Sequence, residues 1–383
     1  MAKIEYKETG DKNVSLVVEG AEQMVGFIFN KFAEFAKTVH EGGYNLSELD
    51  STKETNLEPI VSDQKAPESQ ISSDVVVIYD NAGIPSIMRR FKKVTNKELF
   101  GGSERTNAAF RIGGEEYDEI FISVYPNTMI NGKPYSLPFT VPATNLTNDE
   151  AAEACFSKGE GWHLLTAPEW GLLANTSKKL GTLPHGNTRD GCYHADESEK
   201  GQRVKSSSGM TLTGSGPSTW THDHTPEGVH DLCGNVWEML RGLRIINGEL
   251  QSADNNDAAM NIDLSENSKN WHAVVDDNGE SVNILIDGDV ICIGTEKEKN
   301  GDYTGSPWED VEINCESEQL KELALYNGED KAYLYADTSE GEYFPHRGGN
   351  WHHIVQRWRV LHELEHSAVG FLRLRRLPLR LFP

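Results

Sequence analysis

Two short motifs about a hundred residues apart constrain this chain more than anything else in it: Gly234 to Glu238 (GNVWE) and Arg347 to Trp351 (RGGNW). Each places a glycine-containing turn beside a tryptophan, so a tight backbone reversal is tied to a large core anchor. We read them as one framework. Trp237, Arg347, Gly348, Gly349 and Trp351 are its scaffold, and the residues beyond Trp351 are the surface it displays.

A chain of 383 residues suffices for one large domain with attachments or for two domains. It has no run of eighteen apolar residues, and its start, MAKIEYKETGD, lacks the apolar core of a signal peptide. The expectation is a soluble protein without membrane insertion, either cytoplasmic or part of a virion. The formal charge of −24 argues against nucleic-acid binding, which needs a basic face to neutralise phosphates. That charge is concentrated. Residues 245–345 hold 24 Asp and Glu against 5 Lys, whereas residues 345–383 hold 7 Arg, 2 Glu and five histidines. The acidic stretch reads as a solvated surface insert or as a rim facing the basic tail across a site.

Residues 1–45 read as an N-terminal helical segment for docking or oligomerisation. Val25, Ile28, Phe32, Phe35 and Val39 follow a 3,4,3,4 spacing that puts them on one face, and Gly42 and Gly43 end the pattern. A helical stalk of this spacing suits a trimer. Residues 46–73 are rich in Ser, Glu, Asp, Thr and Pro, the composition of a flexible acidic linker. The main domain then spans 74–383. In it, Asp74 to Tyr79 reads as a buried strand and Asp118 to Tyr125 as another. Helices are predicted over Asn148 to Ser157 and over Ala167 to Lys179. The second opens on Thr166, with Pro168 in its first turn and Glu169 in capping-box position. From Gly181 to Thr225 the chain has almost no aliphatic periodicity, so long irregular loops are expected.

Four groups of residues invite a chemical reading. His362, Glu363, Leu364, Glu365 and His366 match the HExxH zinc pattern, but residues 367–383 contain no Asp, Glu, His or Cys to act as a downstream third ligand. His222, Asp223, His224, His230, Asp231 and Cys233 are rich in ligand types, at spacings that fit no zinc pattern. Asp231, Gly234, Val236 and Glu238 could bring two carboxylates and two backbone carbonyls to one Ca²⁺. The alternative is that Gly234 and Asn235 simply make a turn and Glu238 bonds backbone groups. Finally, the five cysteines (Cys155, Cys192, Cys233, Cys292, Cys315) form no CxxC pair and read as free thiols.

Taken in order, LPF (137–139), EGWHLLTAPEW (160–170), LPHGN (183–187), DLCGNVWEM (231–239) and RGGNW (347–351) resemble the formylglycine-generating-enzyme (sulfatase-modifying factor) branch of the C-type lectin fold. Within that branch they resemble the variable proteins that retroelements diversify in phages and gut bacteria. The resemblance implies an α+β, loop-rich, C-type lectin-like fold. It also implies a hypervariable ligand-binding segment just after RGGNW, here residues 350–383. Enzymatic members carry a copper-binding cysteine pair after that element; here His352 and His353 follow Trp351, and no cysteine follows Cys315. The implied protein therefore has no catalytic residues and requires no cofactor; enzymatic members hold a structural Ca²⁺ at the positions matching Asp231, Gly234, Val236 and Glu238, an ion that non-catalytic members need not keep.

The expected contact set is His352, His353, Gln356, Arg357, Trp358, Arg359, His362, Glu363, Glu365 and His366, since Trp and Arg make good anchors. The expected function is non-enzymatic binding of a host or bacterial surface protein or glycan, as in a phage tail adhesin. A metal-dependent oxidoreductase that uses histidines in place of the cysteines is the enzymatic alternative. The Arg- and Leu-rich ending, VGFLRLRRLPLRLFP (369–383), departs from the alternating Asn-rich or Tyr-rich strand typical of the diversified group.

Overall fold

The computed structural model describes residues 3–9, 13–19, 74–205, 209–288, 290–297, 303–325, 333–352, 358–361 and 372–374. The chain divides into two units, residues 1–73 and 74–383. In the first, β1 (Lys3–Thr9) and β2 (Asn13–Glu19) form an antiparallel hairpin with Lys3 opposite Glu19. Strand pairing therefore opens the segment whose expected helix lies over residues 21–40. Its alternating Ile4, Tyr6 and Val14, Leu16, Val18 give the physical reason, because a period of two suits a strand and not a helix. The helical pattern over 21–40 and the linker at 46–73 lie outside the described residues.

The second unit is mixed α+β, rich in sheet and loop, with few helices. Its principal strands, in chain order, are β3 (Val75–Tyr79), β4 (Pro85–Lys92), β5 (Glu119–Ser123), β6 (Trp162–Leu164), β7 (Glu238–Met239), β8 (Leu243–Ile246), β9 (Glu249–Ser252), β10 (Asn283–Asp287), β11 (Val290–Gly294), β12 (Tyr303–Pro307), β13 (Glu312–Ile313), β14 (Tyr333–Asp337), β15 (Glu342–Arg347), β16 (Trp358–Leu361) and β17 (Leu372–Leu374). The helices are α1 (Asn96–Phe100), α2 (Asn148–Phe156), α3 (Ala167–Leu180) and α4 (Glu318–Glu322). Among the described residues no helix is long and apolar enough to cross a membrane.

One sheet has the order β6-β17-β5-β4-β3, so β17 lies inside it, antiparallel to both neighbours, with Leu374 opposite Trp162 on one side and Phe121 on the other. Leu372–Leu374 are therefore scaffold, although the expected variable segment included them. A larger sheet runs β7-β15-β8-β9-β10-β11-β13, with β16 also paired to β15. Strand β5 is buried from Ile120 to Ser123, as its apolar run predicts. By contrast β3 is only half-buried, because it is an edge strand.

The acidic stretch 245–345 is not a surface insert. It supplies Leu250, Val282, Ile284, Ile291, Ile293, Trp308, Leu320 and Leu334 to the main hydrophobic cluster, with α3 residues Ala167, Trp170 and Leu173 packed in the same cluster. Its charges sit on positions that alternate with these, such as exposed Asp287 and Glu312. A strand of period two can carry a large negative charge outward and a core inward at once.

Helices α2 and α3 begin where their capping boxes place them. Thr147 and Thr166 each accept from the backbone N–H of Glu150 and Glu169, whose carboxylates reach back to the cap. In α3 the box is fully buried and extended: Glu169 Oε1 accepts from Asn256 Nδ2 (2.7 Å) and lies 3.0 Å from His163 Nε2. Mid-helix Gly171 is explained by α4, whose last carbonyl, Glu322 O, would lie 1.8 Å from a Cβ at that position. Gly171→Ala should therefore separate α3 from α4 and destabilise the unit by about 3 kcal/mol. Thermal unfolding of the variant checks this, and an unchanged midpoint would refute the close contact.

Candidate functional site

The two motifs are joined through their backbones. Gly234 N–H donates to Gly348 O (2.7 Å), and Trp351 N–H donates to Asn235 O (3.2 Å). The ladder continues from there, with Glu238 opposite Arg347 and Met239 opposite His346 in the β7–β15 pair. Arg347 is fully buried and its Nη2 donates to Leu323 O (3.2 Å), which ties the end of β15 to the residue following α4.

A third segment locks this junction. Gly186 lies against Cys233 O, which would be 1.7 Å from a Cβ, and Gly234 lies against Asn187 O, which would be 2.1 Å away. Gly234 also has φ +72°, a conformation that only glycine adopts freely. Each glycine is followed by a fully buried asparagine. Asn235 Oδ1 accepts from Thr211 N–H (2.8 Å) and from Asn187 Nδ2 (3.2 Å), while Asn235 Nδ2 donates to Thr211 O (3.1 Å). Asn187 Nδ2 also donates to Gly209 O, and its Oδ1 accepts from Gly191 N–H. These two amides take the place of a strand ladder for loops that have none. Sequence reasoning missed them, although the repeated Gly-Asn pair in LPHGN and CGNVWE was the available signal.

The 186–191 loop reaches the expected binding segment directly. Asp190 N–H donates to Trp351 O (2.8 Å), and Asp190 Oδ1 lies 3.3 Å from His352 Nδ1. His352 is exposed, at the point where the chain leaves the framework. Trp358 and Arg359 return in β16, opposite Arg347 and His346, so the residues between them form the connection from β15 to β16. His353, Gln356, Arg357, His362, Glu363, Glu365 and His366 lie outside the described residues.

Asp231 and Glu238 are both buried carboxyl groups. Asp231 has φ +61° and accepts from Gly214 N–H at Oδ2 (2.7 Å); burial pushes its pKa up to about 7. Glu238 is raised well above the ordinary carboxyl value, first by burial and then by the charges of Asp231 and Cys233. Neither Glu238 oxygen has a hydrogen-bond partner, so the alternative in which Glu238 bonds backbone groups is not realised. A buried carboxyl in this position must hold a proton or meet a cation. Among the described residues there is no group of three or more His, Cys, Asp and Glu side chains suited to a metal. A cation beside this pair would thus draw its remaining ligands from backbone carbonyls, an oxygen set that a hard divalent ion such as Ca²⁺ accepts.

The histidine-rich stretch disperses into separate backbone contacts. His222 Nδ1 accepts from Val229 N–H (2.9 Å), His230 Nε2 lies 3.1 Å from Pro226 O with its ring stacked on Tyr125, and His224 Nε2 lies 3.2 Å from Leu183 O. These rings fasten turns. All five cysteines are free thiols, and burial pushes those of Cys155, Cys292 and Cys315 up, away from the nucleophilic range. No protein-family model matches the chain, and no curated protein matches it.

Burial lowers His222 and His230 to about 4, below the ordinary histidine value near 6.5. Both are neutral in the fold, and the unfolded chain takes up the protons first. The stability they allow is complete above about pH 6.5 and is lost as pH falls toward 4, by about 2 kcal/mol for each ring at pH 5. Asp231 and Glu238 oppose this, since a raised carboxyl loses stability as pH rises. Denaturant unfolding of the Asp231→Asn, Glu238→Gln chain removes that opposing contribution, and its stability should fall steadily from pH 7 to 5. A flat profile would refute the neutral histidines.

Proposed function

We propose that this chain is a non-enzymatic ligand-binding protein. Its framework is a C-type lectin-like scaffold of the formylglycine-generating-enzyme type, and the connection after Trp351 is its recognition face. The observation that carries the reading is the pair of backbone hydrogen bonds from Gly234 to Gly348 and from Trp351 to Asn235. They hold the chain rigidly up to Trp351, so that His352 and the residues after it start from a fixed platform. Strand β17 supports the same reading, because it anchors the far side of the segment in a sheet. The variable surface is then the stretch from His352 to the residues before Leu372.

The ligand in this reading is a host or bacterial surface protein or glycan, and the most concrete version is a phage tail adhesin diversified by a retroelement. Replacing His352, His353, Gln356, Arg357, Trp358 and Arg359 with alanine should weaken binding to the cognate cells at least ~100-fold while shifting the melting midpoint by only a few degrees. Binding that survives these substitutions would reject the assignment, as would absence of the protein from purified particles for the virion version.

Ca²⁺ would be held by Asp231 and Glu238 together with the Gly234 and Val236 carbonyls, and there it would cancel the buried negative charge of the framework. Under that reading Glu238→Gln lowers the melting midpoint in millimolar Ca²⁺ at pH 7.5 and raises it in chelator, because the amide needs neither proton nor cation. Equal behaviour in the two buffers would remove the ion from the model of the site.

A further inference from the structure

Among the described residues, strand β3 is an outer strand of its sheet, and its sequence, VVVIY, contains no charge, proline or glycine. Natural edge strands are normally guarded by such residues, because a bare row of backbone donors and acceptors invites another strand. The register shows which groups are bare. Arg90 N–H donates to Asp74 O (2.6 Å) and Asp80 N–H donates to Ile84 O (3.0 Å), while Val76 faces Met88 and Ile78 faces Ser86. In an antiparallel ladder, residues alternate between those bonded to the neighbouring strand and those that are not. Asp74, Val76, Ile78 and Asp80 thus use their backbone groups on β4. Val75, Val77 and Tyr79 point theirs away from the sheet.

Both faces of this edge are apolar. Val76 and Ile78 pack on the cluster of Met88, Phe121 and Trp162, while Val75, Val77 and Tyr79 occupy the opposite face and Tyr79 is 42% exposed. The flanking carboxylates are turned to other work. Asp74 accepts from Arg90, and Asp80 accepts from the Tyr135 hydroxyl (2.6 Å) and from the Ala82 and Ile84 amides. Neither guards the edge.

We propose that β3 pairs antiparallel with β3 of a second copy of this chain, about a two-fold axis through Val77. In that register Val77 faces its own equivalent and Val75 faces Tyr79 of the other copy. All three are residues whose N–H and C=O point outward, so each pair exchanges both of its hydrogen bonds. The tyrosine ring also covers a valine across the strands, a favourable aromatic and β-branched pair. A second copy fits better than a foreign strand because the pattern is its own complement: apolar throughout, with outward groups on alternate residues symmetric about Val77. The pairing closes on itself, since among the described residues β3 has a single free edge, and so yields a dimer rather than a fibre. It makes one continuous sheet of the β6-β17-β5-β4-β3 sheets of both copies.

Sedimentation of the full chain over roughly 1–100 μM tests this, a range chosen around the affinities common for transient interfaces. The expected result is a reversible dimer whose dissociation constant rises at least ~100-fold in Val77→Lys, which sets two like charges against each other on the axis. Cysteine chains test the register. Val77→Cys should oxidise to a covalent dimer joined through residue 77, and Val75→Cys should cross-link to Tyr79→Cys only when the two are mixed. A monomeric wild type, a Val77→Lys chain that remains dimeric, or cysteine chains that form no such links each overturn the proposal. If Val77→Lys does not fold, the cysteine chains decide alone.

Discussion

The mutual contact of Gly186 with Cys233 O and of Gly234 with Asn187 O is the constraint on which the rest of the second unit depends. It brings two backbones closer than any side chain would permit, and so creates an interior crowded with peptide groups that water cannot reach. Every such group needs a partner. Asn187 and Asn235 supply those partners, reaching Gly191, Gly209 and Thr211. Loops from four parts of the chain become one rigid body without forming a sheet, and RGGNW is bonded to its outer side.

The buried polar groups around this body fall into two kinds. Glu322 accepts from Asn96, from Ala108 N–H and from Arg111. Lys158 Nζ donates to Ser86 Oγ (2.9 Å) and lies over the rings of Trp162 and Tyr135, an aromatic cage that keeps it satisfied although burial lowers it to about 7. Glu169 is shared between Asn256 and His163. Against that background Glu238 is the buried acid, among the described residues, with neither oxygen bonded. Burial without a partner is what raises its carboxyl well above the ordinary value.

Much of the scaffold was legible because its signals are local. A capping threonine and its glutamate are three residues apart, so α2 and α3 could be placed to within a residue or so of their ends. Asp231 and Glu238 were found from a short motif for the same reason. The asparagine brace joins residues 48 apart, and its one local sign, the Gly-Asn pair repeated in LPHGN and CGNVWE, does not say that the two asparagines meet. The acidic stretch was misread because its composition averages over two faces; the alternation in NILID and VICIG carried the core, and the count of carboxylates hid it. The half-burial of β3 depends on which strands assemble beside it, a property of topology that its apolar sequence cannot express.

Placing β17 inside the smaller sheet has a consequence for how the protein is made. Strands β5 and β6 are far earlier in the chain, yet they have no strand between them until Leu372–Leu374 arrive. On the ribosome the sheet therefore stays split until translation has passed residues 353–371. A copy whose message is interrupted or misread within that segment never receives the strand that closes the sheet. Such a product is left with exposed ladder groups and is open to proteolysis. Strand β17 thus acts as a seal: the smaller sheet is completed only in a chain read in frame through residue 374.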